Sequence, residues 1–244
     1  MNWTELARWA PWGVLASAVV VAPLLLKIPA PYGRYARAGL GPSVPARAGW
    51  MVMESVSLTV FPLSFLALSP FGADPRAQWL LCPWLLHYGQ RSLVFPLLMK
   101  RPRPMPVAGM LMAIVFNSLN ALGNGAALVP RVLSVRVVLG VLVFALGFGL
   151  NLHADAVLRG LRSAPGEYRI PQGGLYRFVS CPNYLGECLE WLGFALAAGT
   201  LAAFAFFVFT VANLLPRAVA HHRWYRDHFP GYPKERKVLV PFLL

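Results

Sequence analysis

The chain has 244 residues, of which 57% are hydrophobic and 13% charged, with a formal net charge of +13. A soluble domain carries roughly a quarter charged residues, so this composition excludes an ordinary water-soluble globule and makes lipid the main solvent. A basic balance suits nucleic acid when the cations share a soluble face with base-stacking aromatics; here they sit in short stretches between apolar runs, and nucleic-acid binding is not expected.

A membrane-crossing helix needs about 20 mostly apolar residues. In chain order, such helices are expected near residues 9–28, 50–70, 78–99, 106–129 and 133–158. The first is flanked by Arg8 and Lys27 and reads as a retained span, not a cleaved leader. The segment 159–182 carries turn chemistry at Pro171-Gln172-Gly173-Gly174. The last apolar stretch, about 183–216, is too long for one crossing and has Gly199 and Thr200 near its middle. It divides into two helices joined by a tight turn, which makes seven.

Charge supports that division. Residues 27–49, 100–106, 159–182 and the tail from 217 hold 17 of the 22 lysines and arginines. Seven spans put all four segments on one side, which the excess of cations marks as cytoplasmic; six would put the richest segment outside. Arg8, Arg76, Arg131 and Arg136 fall on the opposite side, and Arg91 falls within a span. The expected architecture is an all-α, polytopic membrane bundle of seven transmembrane helices. It forms one domain over residues 1–244, with the N-terminus outside and the C-terminus cytoplasmic.

An ionisable group inside a bilayer costs at least about 2.5 kcal/mol on insertion scales and marks function by default. The chain has nine acids, and Glu54, Asp155, Glu187 and Glu190 fall in spans or at their ends. Helical spacing groups the polar positions: Tyr88 with Arg91, Asn151 with Asp155, Asn183 with Glu187, and Arg217, His221 and Tyr225 on one stripe if the last helix continues past the membrane edge. Asn117 and Asn120 add amides to the fourth helix. The picture is an inward-opening polar cavity. Plainer roles compete at several positions: Asn117 and Asn120 as helix–helix glue, Arg217 as an interfacial anchor, His153 in helix packing, His222 and His228 on the tail surface, and Glu190 paired within the bundle. Glu54 is harder to dismiss, because a lone carboxyl among Met51, Val52, Met53 and Val56 must be neutral or tightly partnered, and either state suits hydrogen-bond donation or acid work.

Familiar cofactor and metal signatures are missing. Gly147-Phe148-Gly149 and Gly123-Asn124-Gly125 lack a third glycine and a preceding strand, so a Rossmann domain is not supported. Cys82, Cys181 and Cys188 have neither metal-ligand nor redox-pair spacing and are expected to be small buried thiols. A bound nucleotide would have its phosphates held by loop arginines and amides.

Several stretches resemble the steroid 5α-reductase family. They are Asn151 through Asp155 to Arg159 and Arg162, Tyr168 through Pro171 to Gly174, and Asn183-Tyr184-Leu185-Gly186-Glu187 with Glu190-Trp191. They continue in Ala203 to Phe207, Arg217 to His222, Tyr225, Tyr232-Pro233-Lys234 and Pro241-Phe242. Tyr32-Gly33-Arg34, Pro45 to Ala48, Glu54 and His87-Tyr88-Gly89-Gln90-Arg91 extend the likeness over nearly the whole chain. The C-terminal portion alone is also similar to isoprenylcysteine methyltransferases, which use S-adenosylmethionine, and to sterol reductases. A related reductase of polyprenol or enoyl lipids is the alternative within the same group.

The resemblance implies NADPH-dependent reduction of a 3-oxo-Δ4-steroid, with hydride to C5 and a proton to C4. Glu54 and Tyr88 would be the catalytic pair at the 3-keto oxygen, and Met53, Glu54 and Tyr88 would contact substrate. Asn151, Asp155, Asn183 and Glu187 would meet the nicotinamide and ribose end of the cofactor. Tyr32, Arg91, Arg103, Arg162, Tyr168, Arg217, His221 and Tyr225 would surround its phosphates and adenosine. No metal is implied, the steroid would enter from the bilayer, and the protein would act as a monomer. The chain departs from the family pattern at Met53, where relatives often carry glutamine, at Arg101-Pro102-Arg103, and at Cys181-Pro182. Arginine outnumbers lysine 18 to 4, as in GC-rich genomes. The expected location is a multi-pass integral membrane protein, of the bacterial inner membrane if prokaryotic and the endoplasmic reticulum if eukaryotic.

Overall fold

With no water in the hydrocarbon core, every backbone polar group must pair within the protein, so long apolar runs form helices. The computed structural model describes residues 2–31, 33–35, 39, 41–100, 102–161 and 168–244. Tyr32 and Arg162, both expected at the site, lie outside the described residues, as do Arg37 and Arg101.

The described chain is mostly helical. Five helices are long and apolar enough to cross a membrane: α1 (Trp3–Lys27), α2 (Ala46–Leu68), α6 (Val107–Ala126), α7 (Val135–Gly160) and α9 (Leu201–His228). Helix α1 begins at a reciprocal cap, in which the Asn2 side chain accepts from the Glu5 N–H and the Glu5 carboxylate accepts from the Asn2 N–H. The all-α expectation needs one addition. A two-residue antiparallel ladder, β1 (Ser43–Val44) with β2 (Met105–Pro106), ties the segments before α2 and α6.

The region expected as one helix over 78–99 is interrupted. The short α3 (Pro75–Gln78) is followed by α4 (Leu81–Gly89), a π-helical turn at Gln90–Val94, and α5 (Phe95–Leu98). A π turn shifts backbone N–H groups to the fifth residue back, as Phe95 does in bonding the Gln90 carbonyl. The buried Ser92 hydroxyl donates to the Tyr88 carbonyl at 2.6 Å and helps satisfy that disrupted register.

The long final stretch divides where its sequence breaks. Helix α8 (Pro182–Ala198) ends on Gly199 at φ 60°, a left-handed conformation that glycine adopts without steric cost. The Thr200 side chain then caps α9 by accepting from the Ala203 N–H. Helix α9 continues to His228 with Pro216 inside it, which carries the Arg217, His221 and Tyr225 stripe beyond the apolar stretch.

Helices α7 and α8 pack antiparallel at close range. A methyl group at Gly147 would lie 2.5 Å from both the Glu190 nitrogen and the Gly186 oxygen. Small residues allow such backbone approach where lipid supplies no hydrophobic drive between helices. The aromatic core fills the middle of the bundle: Trp84 stacks on Phe61 with ring centroids 4.2 Å apart, and Trp191 meets Phe206 at the same distance.

Gly147→Leu forces α7 and α8 apart. Overpacking of this kind costs about 1–3 kcal/mol or more, and thermal unfolding of the detergent-solubilised protein should show a lower midpoint and a smaller folded fraction than the parent.

Candidate active site

Loops and helix ends supply cations, and the structure gathers them. One cavity is lined by Lys100 and by Arg34, Arg91, Arg103, Arg159, Arg169 and Arg217. Among the described residues, Asp155 is the carboxylate on that wall. Of the expected cofactor residues, Arg91, Arg103, Asp155, Tyr168, Asn183, Arg217, His221 and Tyr225 line it.

Arg34 reaches this cavity from a loop that lies far away in sequence. Its guanidinium sits 3.9 Å from the Trp224 ring centroid, 4.5 Å from Tyr225 and 4.6 Å from Tyr168. It donates to the Tyr225 hydroxyl at 3.1 Å. Its buried Nε and Nη1, and Nη1 of Arg159, have no hydrogen-bond partner among the described residues. Buried donors of that kind ordinarily have acceptors, so the wall is suited to an anion bearing several oxygens. His221 lies between two phenols, with Nδ1 3.3 Å from the Tyr35 hydroxyl and Nε2 3.2 Å from that of Tyr184. Burial pushes the Tyr35 phenol up to about 12, so it remains a hydroxyl at neutral pH. Arg217 lies 5.2 Å from the Tyr184 ring centroid.

The close α7–α8 contact builds the next part of the wall. Asn151 donates to the Asn183 carbonyl at 3.0 Å, and the Asn183 amide donates to Asp155 at 3.3 Å. Asp155 in turn pairs with Arg91 at 3.5 Å. Arg91 also lies 4.4 Å from the Phe95 and 4.9 Å from the Trp50 ring centroids, with Glu187, Glu54 and Glu190 within electrostatic reach. Asn151 and Glu187 are not among the residues lining the cavity; Asn151 is bonded to Asn183, and Glu187 is within electrostatic reach of Arg91.

Glu54 and Tyr88 are outside the cavity lining. They interact electrostatically with each other, and each also feels Arg91 and Glu187. Tyr88 is 3% exposed, against Trp84 and Trp191. Glu54 receives an amide N–H from Asn117 at 3.5 Å. The Met53 side chain packs in a cluster with Ala46 and Met105, and its carbonyl accepts from Asn117 at 2.7 Å. Tyr88 and Arg91, expected on one helical face, are parted by the start of the π turn: Tyr88 belongs to the aromatic core and Arg91 to the cavity.

Sequence reasoning names neither of two partnerships, although it allows Glu190 a partner within the bundle. His87 Nδ1 lies 2.6 Å from Glu190 Oε2, and both residues are buried; an acid on α8 and an imidazole on α4 give no local signal of pairing. Arg34 and Trp224 form a cation–aromatic stack, for which the one hint is Arg34 in the family-like Tyr32-Gly33-Arg34 stretch. His222, expected on the tail surface, is half-buried and meets the Ser180 hydroxyl at 2.7 Å, while Ser180 also meets Tyr232 at 2.6 Å. These contacts hold the tail against the loop before α8, where Arg236 donates to the Pro171 carbonyl at 3.2 Å.

Fold and site together define a helical membrane protein with a cation-lined cavity whose wall residue Arg91 lies within electrostatic reach of the part-buried Glu54. The sequence model of the 3-oxo-5-alpha-steroid 4-dehydrogenase family matches residues 103–244. The chain is 42% identical to 3-oxo-5-alpha-steroid 4-dehydrogenase 1 of Bos taurus, over 94% of this chain and 93% of that protein. It is 41% identical to 3-oxo-5-alpha-steroid 4-dehydrogenase 2 of Homo sapiens, over 93% and 94% of the two chains. It is 40% identical to steroid 5-alpha-reductase DET2 of Solanum lycopersicum, over 87% of each. The chain belongs to the 3-oxo-5-alpha-steroid 4-dehydrogenase family of oxidoreductases.

Glu190→Ala leaves His87 buried without its hydrogen-bond partner. Stranding a buried polar group costs about 1–3 kcal/mol, so the unfolding midpoint should fall, and Glu190→Gln, which keeps an acceptor oxygen, should recover most of the loss.

Proposed function

We propose that the protein reduces the Δ4 double bond of 3-oxo-Δ4-steroids to 5α-reduced 3-oxosteroids, with NADPH as reductant. The activities for which the relatives are named support this reading. The observation that carries it is a cation-lined cavity whose buried Arg34 and Arg159 donors have no hydrogen-bond partner among the described residues, with Arg91 on its wall in electrostatic reach of Glu54.

The donor set fits a dinucleotide phosphate. Arg34, Arg103, Arg217, His221, Tyr168 and Tyr225 would hold its phosphates and adenosine, with Tyr32 and Arg162, outside the described residues, expected alongside. Arginines also suit a 2′-phosphate through paired N–H donors. Arg91, Asp155 and Asn183 on the wall, with Asn151 and Glu187 linked to them, would position the nicotinamide and its ribose. When bound, the cofactor supplies the hydride that reaches C5 of the enone.

The protein's own part is electrostatic. Negative charge develops on the 3-keto oxygen as C5 is reduced. The Tyr88 hydroxyl donates a hydrogen bond to that oxygen, and the Glu54 carboxyl adds a second donor when protonated. In a centre closed by Trp84 and Trp191, such bonds count for more than in water. Protonation at C4 then discharges the oxygen. The steroid partitions into lipid and enters sideways between helices, with Met53 near its path.

The arrangement operates as one domain of seven crossings, N-terminus outside and C-terminus cytoplasmic, working as a monomer. Two crossings are shorter than the five apolar helices. The α4–π–α5 run covers 81–98 and α8 covers Pro182–Ala198. At about 1.5 Å per residue each approaches the bilayer's core thickness of about 30 Å.

Tyr88→Phe and Glu54→Gln should each lower turnover of testosterone or progesterone by about 100-fold, the scale of losing one oxyanion donor, with NADPH affinity unchanged. Equal losses in turnover and cofactor affinity would remove both residues from the reacting centre. A panel that includes polyprenal and an enoyl-CoA separates the steroid reading from a related lipid reductase.

A fluorescent reporter fused to the C-terminus should light up on the cytoplasmic side. A signal from the opposite side would break the seven-crossing topology while leaving the chemistry open to the turnover test.

A further inference from the structure

Two contacts fix how α6 lies on α2. A methyl group at Gly125 would meet the Phe61 carbonyl, so at that point the helices touch backbone to backbone. Eight residues earlier on each helix, Asn117 meets Met53. The matched spacing means that α2 and α6 run parallel in one register. Asn117 is 6% exposed and has no freedom to face lipid or water.

Its amide nitrogen meets two consecutive residues of α2. It donates to the Met53 carbonyl at 2.7 Å and to Glu54 Oε2 at 3.5 Å. A backbone carbonyl only accepts, so the short bond to Met53 settles which end of the amide faces α2. The nitrogen's second hydrogen is then what Glu54 meets. An N–H cannot pair productively with a protonated carboxyl oxygen's own O–H, so Oε2 is kept as an acceptor.

We infer that Asn117 is a positioning residue for the reaction: its amide holds Glu54 Oε2 as an acceptor and leaves Oε1 as the oxygen that carries a donatable proton. This rests on the reading of Glu54 as the reacting carboxyl. Asn117 itself touches neither steroid nor cofactor. Without it the carboxyl can rotate about its terminal bond, a soft torsion, and the proton can sit on either oxygen.

A purely structural amide would act differently. It would lower stability, and with it active enzyme, but would not change turnover per folded molecule or depend on the residue at position 54. The test is a double-mutant cycle on the full-length protein in detergent or nanodiscs. It compares Asn117→Ala, Glu54→Gln and their combination, with Asn117→Leu as a space-filling second variant in case the alanine form fails to accumulate. Turnover is normalised to folded enzyme, and NADPH affinity is followed by quenching of intrinsic tryptophan fluorescence.

The expected result is a fall of about tenfold in kcat for the Asn117 variant, the worth of one good hydrogen bond. Cofactor affinity should stay within about twofold, and the double variant should be no slower than Glu54→Gln alone. An unchanged kcat, or multiplicative losses in the double variant, overturns the positioning role while the reading of Glu54 stands. Parent-like turnover in Glu54→Gln alone overturns that reading and the positioning role with it.

Discussion

A guanidinium keeps its proton under all ordinary conditions and cannot be left bare in hydrocarbon. Arg91, on the π turn after α4, imposes that condition on the bundle. It pairs with Asp155 from α7 at 3.5 Å and draws Glu187 and Glu190 from α8 and Glu54 from α2 within electrostatic reach. Trp50 and Phe95 cover it with ring contacts. The four acids that the chain places in or beside its spans thus have one cation in common. Asp155, in direct contact, lowers the cost of burying Arg91, and Arg91 lowers the cost of burying Asp155. Removal of any member leaves the others poorly compensated, and this makes the polar interior a cooperative unit rather than a set of separate pairs.

That unit exists because the helix backbones come close. Glycine spacing on α7 and α8 lets Gly147 and Gly186 sit against the opposing main chain, which brings Asn151, Asp155 and Asn183 into one hydrogen-bonded chain. Gly125 does the same for α6 against α2 and places Asn117 over Met53 and Glu54. The smallest residues therefore set the positions of the most polar ones. Steric absence at a few sites determines where charge can be tolerated tens of residues away.

Much of this was legible from local pattern. The division at Gly199 and Thr200 follows from a glycine and a capping hydroxyl in succession. The stripe of Arg217, His221 and Tyr225 follows from helical spacing, and all three reach the cavity. The helix pairings, by contrast, join residues far apart in sequence. The His87–Glu190 contact spans 103 residues and the Arg34–Tyr225 contact 191, and no periodicity encodes either. The π turn was equally hidden, because Leu81 to Leu98 has the apolar content of an ordinary span. Its trace is Ser92, a hydroxyl in a buried position, whose bond to the Tyr88 carbonyl becomes meaningful once the register is known.

The proposed chemistry gains from the way Arg91 stands between two environments. On one side the cavity wall is crowded with cations whose mutual repulsion an anionic ligand would relieve. On the other side lie Glu54, bonded to Asn117, and Tyr88, packed against Trp84 and Trp191; in the proposed reaction a developing oxyanion there would depend on fixed donors. Screening by solvent is weak along the short polar bridge between them. Charge brought to the cavity would then be felt, through Arg91 and its carboxylates, at the acid–phenol centre.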